Sequence, residues 1–441
     1  MVVGAGIGGL LSALALAKER KNVLVLEKAT VIGGNCRSYN VDGFQVDTGP
    51  HAITWLKKGP LVDLMNQYFD VIPKFMPHGN YYVRDEGKLL KFPYTLQSLA
   101  RFSAFTRRDR ILMARAFIDA AKSHTIGKKK LDKSVYEVIK DYKLSDKAQR
   151  FIDTLCYFLS GRSMKETPAW RVLSGGGATD ELSSGIKKKI SGIVGVIRNR
   201  HESHQGYPIG GIKSITNAIL ISLPEKRVTI KTGEAVLKIK KEGKRFLVKT
   251  KGAVYHSDVI VFSGYVKNLP KILENKLPKD FNDSLLSLKQ SHAMILWLGL
   301  NKKRKEFNYT GSEIWFNEKI PYWAMPISNY DPQLAPKGMQ LIGFSSKIPD
   351  GEPSERHMER LLETIKKAIP KIENNIVMQH TQITVPEKAA ITIGAKFPGP
   401  KTPIKGLYLS GTDVDQRSMG ITRAAYSVVE MLKMMKEDKI I

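Results

Sequence analysis

The chain has 441 residues and only two cysteines, Cys36 and Cys156. Two cysteines give neither a disulfide framework nor a cysteine-built metal cluster, so no metal is expected and a cytoplasmic, reducing setting is. No apolar run is long enough to span a bilayer; the longest, around Ala293–Leu300, falls far short. No signal-peptide pattern is present, since the chain opens inside a strand. Acidic residues are also scarce: 42 Asp and Glu against 70 Lys and Arg leave a net charge of +28. A surface of that sign favours anionic partners. Nucleic acid is not expected, because no helix-turn-helix, RNP or zinc-finger spacing occurs. The basic residues are scattered, with short runs at Lys128–Lys130 and Lys187–Lys189. That leaves two readings open: a plain solvated surface, or peripheral attraction to the anionic inner face of a membrane. The 42% hydrophobic and 25% charged content suits a folded protein of two or three domains.

What the chain does have is glycine in a particular spacing at its start. Gly4-Ala5-Gly6-Ile7-Gly8-Gly9 fits G-x-G-x-x-G at Gly4, Gly6 and Gly9. Such a loop lets backbone close on a pyrophosphate at a helix N-terminus. Val2-Val3 precedes it as a strand end, and Leu10, Ala13, Leu14 and Ala17 follow at helical spacing. Val23–Leu26 then reads as a strand buried on both faces. It ends at Glu27, 21 positions after Gly6. An acid there is placed to accept from a ribose 2′-hydroxyl and to repel a 2′-phosphate. The first strand has only two or three residues before Gly4; a short strand or a start further upstream would account for that.

The following residues narrow the dinucleotide. Lys28 is followed by Gly33-Gly34-Asn35-Cys36-Arg37-Ser38 and then by Asp47-Thr48-Gly49-Pro50-His51. This resembles the FAD-binding entry of the flavoprotein family of carotenoid desaturases and isomerases, protoporphyrinogen oxidase and flavin amine oxidases. The resemblance implies that Gly33, Gly34 and Arg37 approach the FAD phosphates, although Asn35 stands where the family has Arg. It places Gly49, Pro50 and His51 near the isoalloxazine, which makes His51 the one candidate acid or base. Tyr207-Pro208-Ile209-Gly210-Gly211 resembles the family's return into the nucleotide domain. The stretch 228–263 reads as a meander with a hairpin at Glu242-Gly243-Lys244; the resemblance puts the backbone of Val236 on adenine. Gly411-Thr412-Asp413 and the helix opening at Gly420-Ile421 resemble the C-terminal flavin motif. There Gly411 and Asp413 would meet the ribityl-phosphate region, and the helix N-terminus the flavin edge, where its dipole stabilises negative charge.

The implied fold is α/β: a Rossmann-like FAD-binding domain (1–79, 206–269 and 396–441), with parallel sheet and β-meander, and an interleaved α+β substrate domain (80–205 and 270–395). The first inserted block reads as mostly helical, the second as mixed. Within the first, Phe102, Phe105 and Phe117 alternate with Arg101, Arg107, Arg108, Arg110 and Arg115. That pattern suits a helix lying on a membrane or one packed on its own core. Trp297, Trp315, Trp323 and neighbouring Met and Tyr residues would line an apolar tunnel or fill a core. Gly175–Gly177 and Gly192/Gly195 do not make a second nucleotide loop, so electrons would leave to oxygen or a quinone, or return to the substrate. The implied activity is FAD-dependent oxidoreduction of a hydrophobic substrate, most plausibly desaturation or isomerisation of a polyene. Protoporphyrinogen or amine oxidation is an alternative. So is a flavin isomerase resembling UDP-galactopyranose mutase, favoured by Gly33-Gly34-Asn35 and Gly-Pro-His and needing arginines such as Arg162 and Arg171 for a diphosphate.

Overall fold

A computed structural model describes residues 1–49, 52–125, 133–173, 205–317, 321–349 and 351–441. Pro50, His51, the glycines at 175–177, 192 and 195, and the lysine runs at 128–130 and 187–189 lie outside the described residues.

Three distant stretches form one five-stranded parallel sheet. Its order is Leu407–Leu409, Ile260–Phe262, Val2–Val3, Val23–Leu26, Val228–Lys231. The short first strand is sufficient because it is central: it pairs with a strand on each side. Its two valines face opposite ways, as a pleat requires. Val2 packs with the helices Ile7–Lys18, Lys213–Ser222 and Gly420–Glu437, and Val3 packs with Ile239, Phe246 and Val248. The first helix is buried along nearly its whole length.

The meander is smaller than its sequence suggests. Lys238–Glu242, Arg245–Lys249 and Val254–Ser257 form an antiparallel three-stranded sheet with a tight turn at Gly243-Lys244. Val228–Lys231 and Ile260–Phe262, read as its ends, belong to the parallel sheet. Ile260–Phe262 is buried on both faces, whereas Val228–Lys231, at the edge of that sheet, alternates half-buried and exposed residues.

The inserted blocks share a seven-stranded sheet. Its order is Ile376–Glu387, Ser291–Leu300, Gln340–Lys347, Tyr322–Met325, Gly311–Trp315, Asn80–Asp85, Lys88–Lys91. The supposedly helical first block thus contributes two strands. Asn80–Asp85 lies parallel to Gly311–Trp315, pairing residues more than 200 positions apart, and no local pattern signals such a partner. The remaining helices of that block cover one side of this sheet. Phe102 and Phe105 are 5% exposed and stack around Phe151 and Phe316. The Phe/Arg segment therefore turns those two rings into its own core, and the membrane-lying reading of this helix loses them. Trp297, Trp315, Tyr322, Met294 and Met325 are likewise buried core residues, whereas Trp323 is not fully enclosed.

Arg84 and Glu313 form a buried ion pair across the parallel strands, Nε to Oε2 at 2.6 Å. The same guanidinium donates to the carbonyls of Gly87 and Glu306, each at 3.0 Å. Among the described residues no helix is long and apolar enough to cross a membrane.

Candidate functional site

The glycine loop is held open by its own geometry. Gly4 has φ +104°, a conformation that side chains rarely adopt. A Cβ on Gly9 would stand 1.9 Å from the Gly4 carbonyl oxygen, so only hydrogen fits where the helix presses on the strand. A Cβ on Gly8 would meet Gly411 Cα at 3.0 Å and Ser263 Oγ at 3.1 Å. A Cβ on Gly6, in contrast, would meet nothing within 4 Å. Gly6 therefore fronts open space, and the helix behind it starts with no side-chain cap. Its first-turn N–H groups are left for a ligand.

The C-terminal helix repeats this arrangement. Gly420 has φ +52°, a Cβ there would meet nothing within 4 Å, and no side chain caps the helix start. Gly8 lies against Gly411, so the two glycine loops meet along one side.

Glu27 is tied into the loop. Its Oε2 accepts from the Ala5 amide at 2.6 Å and its Oε1 from the Ala29 amide at 2.8 Å. Each oxygen keeps a lone pair for a hydroxyl. The chain from Gly233 to Glu234 is laced to Ala29 and Glu27 by backbone bonds of 2.8 Å. Val236 follows in extended backbone, half-buried beside Val3 and Leu26.

Gly33 and Gly34 form the second glycine turn. Gly33 pairs with Gly6 as an isolated bridge and donates to the Ala5 carbonyl at 2.8 Å. A Cβ on Gly34 would lie 3.2 Å from Gly6 Cα. Arg37 bends back, donating from Nε to the Gly34 carbonyl at 2.9 Å, and is exposed, as is Lys28. Neither lines the cavity described next.

One cavity, about 1760 Å³ counting its open mouth, joins these loops to the second sheet. Gly6, Gly8, Gly34, Gly411, Gly420 and Ile421 line one end; Tyr81, Phe158 and Trp323 line the other. The three rings pack edge to face, Tyr81–Phe158 at 5.7 Å and Phe158–Trp323 at 6.0 Å. Behind them His78 shares a hydrogen bond with Ser312 Oγ at 2.8 Å, and burial lowers its pKa to about 4. Such an imidazole stays neutral near pH 7.

The charged residues lining this cavity, among those described, are Lys347 and Lys388; His292 also lines it, and no described Asp or Glu does. The Lys388 charge is felt by both Cys36 and Asp413. Sequence reasoning missed these three because each sits at the end of a strand of the second sheet, with no motif around it. Ala293↔Lys347 and Ala293↔Thr384 are the register pairs that bring them to one face. Cys36 also lines the cavity, with burial pushing its thiol up to about 12, so it stays protonated.

Asp413 sits behind the wall. It is fully buried, its Oδ2 accepts the Val266 amide at 2.7 Å, and its Oδ1 finds no partner among the described residues. That free oxygen lies 3.1 Å from where a Cβ on Gly411 would stand. Burial pushes the carboxyl above its ordinary range, with the Lys388 charge opposing. Asp47, the last residue of the strand Phe44–Asp47, accepts from Ser38 and Tyr207 hydroxyls at 2.5 Å each and from the Ile212 amide; burial raises it to about 6. It locks the Gly210-Gly211 return in place. Arg162 donates to the Gln290 carbonyl and Arg171 to those of Leu159 and Ser418; neither lines the cavity.

A family model described as an NAD(P)-binding Rossmann-like domain matches residues 2–68. An uncharacterised protein from the nifH2 3′ region of Methanothermococcus thermolithotrophicus is 57% identical over 96 residues, 22% of this chain and 92% of that protein. The chloroplastic prolycopene isomerase of Daucus carota is 23% identical over 92% of this chain and 73% of its own. Among solved structures, an oxidoreductase from Methanosarcina mazei superposes with TM-score 0.78 at 21% identity, covering 98% of this chain and 99% of that one. Cyclohexylamine oxidase from Brevibacterium oxydans gives TM-score 0.74 at 15% identity over 99% and 98%. These two structures share the fold. The glycine loops, the parallel sheet and these relatives fit the FAD-dependent oxidoreductase family that the sequence resembles.

Proposed function

We propose that this chain binds FAD and uses it to desaturate or isomerise an apolar, conjugated substrate of the polyene or isoprenoid kind. The observation that carries the reading is the single cavity that runs from two uncapped helix N-termini to an aromatic wall. The residues present fit the cofactor. The Gly6–Gly9 amides would hold its pyrophosphate, and Glu27 the adenosine ribose. The Gly420–Glu437 helix would present its positive end to the flavin, with Asp413 and Lys388 beside it. FAD, when bound, accepts or returns a hydride equivalent. The protein's part is to bind, to orient and to exclude water. Tyr81, Phe158 and Trp323 offer flat apolar faces for a conjugated chain. Ser312 is held by neutral His78, so it adds no charge to that wall.

The electrostatics of the lining separate the alternatives. An amine arrives as a cation, and a lining with Lys347 and Lys388 and no carboxylate among the described residues repels it. A sugar nucleotide needs its diphosphate clamped, and Arg162 and Arg171 are committed to backbone carbonyls elsewhere. The net charge of +28 supports delivery of the substrate from an anionic membrane face, and oxygen or a quinone as electron acceptor completes the reading.

The test is anaerobic. Protein reconstituted with FAD is mixed in liposomes with a carotenoid precursor, with amines and with protoporphyrinogen. Bleaching of the flavin band by the carotenoid precursor, or its isomerisation after dithionite reduction, is the expected result. Bleaching by amines alone overturns the substrate assignment. Failure to take up FAD overturns the whole reading.

A further inference from the structure

We infer that the far lobe of the cavity receives an anionic end group, so that the substrate is an apolar conjugated molecule ending in a carboxylate or phosphate. This deepens the substrate reading above and rests on it.

Lys347 ends the strand Gln340–Lys347 and faces Ala293 across the ladder; both line the cavity. Its ammonium lies 5.2 Å from the centre of the Tyr157 ring, another lining residue. Among the described residues it makes no ion pair. Asp153 feels its charge but spends Oδ1 on the Met164 amide at 2.6 Å. A half-buried ammonium that lines an apolar cavity and makes no ion pair among the described residues can take an anion brought by a ligand.

Ser291 supplies the second observation. It stands two residues before Ala293 on the neighbouring strand and lines the same cavity. The residue is 5% exposed, yet its Oγ has no hydrogen-bond partner among the described residues. Buried hydroxyls are rarely left unpaired. Gly161, also in the lining, keeps the space clear: a Cβ there would sit 2.5 Å from Ser291 Oγ. An ammonium and an unspent hydroxyl at one end of an aromatic wall can donate to a carboxylate or phosphate oxygen. No acid in the described lining opposes it.

Three matched probes test this on the FAD-reconstituted protein: retinol, retinoic acid and retinyl phosphate. Binding is read from quenching of protein fluorescence. Either the acid or the phosphate ester should bind at least about tenfold more tightly than the alcohol, and the tighter of the two names the end group. Lys347→Gln should erase that preference while leaving retinol affinity and FAD content unchanged, and Lys347→Arg should keep it. Ser291→Ala, a smaller change, should weaken the charged probe alone. Lys244→Gln, in an exposed turn, should alter nothing. Equal binding of all three probes overturns the proposal. So does a loss in Lys244→Gln as large as in Lys347→Gln, since net charge alone would then explain the effect. FAD absorbance of the same samples separates the two readings: protein without flavin that still prefers the anion refutes the flavin reading and upholds this one.

Discussion

In the parallel sheet the site is made of backbone. Gly4, Gly6, Gly9, Gly411 and Gly420 bare the chain, and helix N–H groups face the cavity. In the seven-stranded sheet the site is made of side chains: Tyr81, Trp323, Lys347 and Ser291 stand on strands that meet only in three dimensions. The first region is closed to an added atom at Gly9 and open at Gly6 and Gly420, and the second depends on the atoms it has. The first is therefore suited to a dinucleotide's phosphates, the second to discriminating a substrate.

Mutations that strike one sheet should leave the signature of the other. The largest effect is expected in the side-chain sheet. Arg84→Met strands Glu313 as a buried, unpaired carboxylate and should cost about 3–5 kcal/mol in urea unfolding. Restoring most of the stability with the added change Glu313→Gln would tie the loss to the charge rather than to packing. In the backbone sheet, Gly9→Ala drives a methyl into the Gly4 carbonyl and should cost about 3 kcal/mol or more. FAD uptake should vanish with it. A Gly9→Ala protein that binds FAD normally would break the comparison.

The next effect depends on pH. His78 is buried with its pKa lowered from 6.5 to about 4. A base lowered on folding contributes stability that is complete above its unfolded value and is lost as pH falls toward its folded value. Stability should drop by up to about 3 kcal/mol between pH 6.5 and 4 on this account. His78→Gln should flatten that part of the stability–pH curve, measured against the parent protein, while leaving FAD uptake intact. Smaller still is Glu27→Gln. It swaps one acceptor oxygen for an amide that faces an N–H, and should weaken FAD binding by about tenfold in an equilibrium titration. Thermal stability should fall little. An unchanged FAD affinity would remove Glu27 from the ribose.

The same contrast decides what could be read from the sequence. The glycine loop, its helix and Glu27 lie within 27 residues, and each carries a local steric or charge requirement. Their spacing was therefore legible, as were the hairpin at Gly243 and the C-terminal turn. The ends of the meander were misassigned because strands of three or four residues look alike in a ribbon and in a parallel sheet. The strands at 80–91 were hidden among helices because their partner is Gly311–Trp315, far along the chain. The basic lining could not be found at all. Lys347 and Lys388 are two of many lysines in a chain of charge +28, and only the ladder around Ala293 sets them apart. Phe102 and Phe105 teach the converse: a pattern that suits a membrane also suits a core, and burial decides.

The central claim is that one cavity seats the cofactor against backbone and the substrate against side chains. A crystal structure of the protein grown with FAD tests it most directly. The account predicts pyrophosphate density against Gly6 and Gly8 and the flavin ring at the N-terminus of the Gly420 helix, with one face open toward Tyr81, Phe158 and Trp323. A flavin ring seated away from the Gly420 helix, or closed off from those three rings, would contradict it.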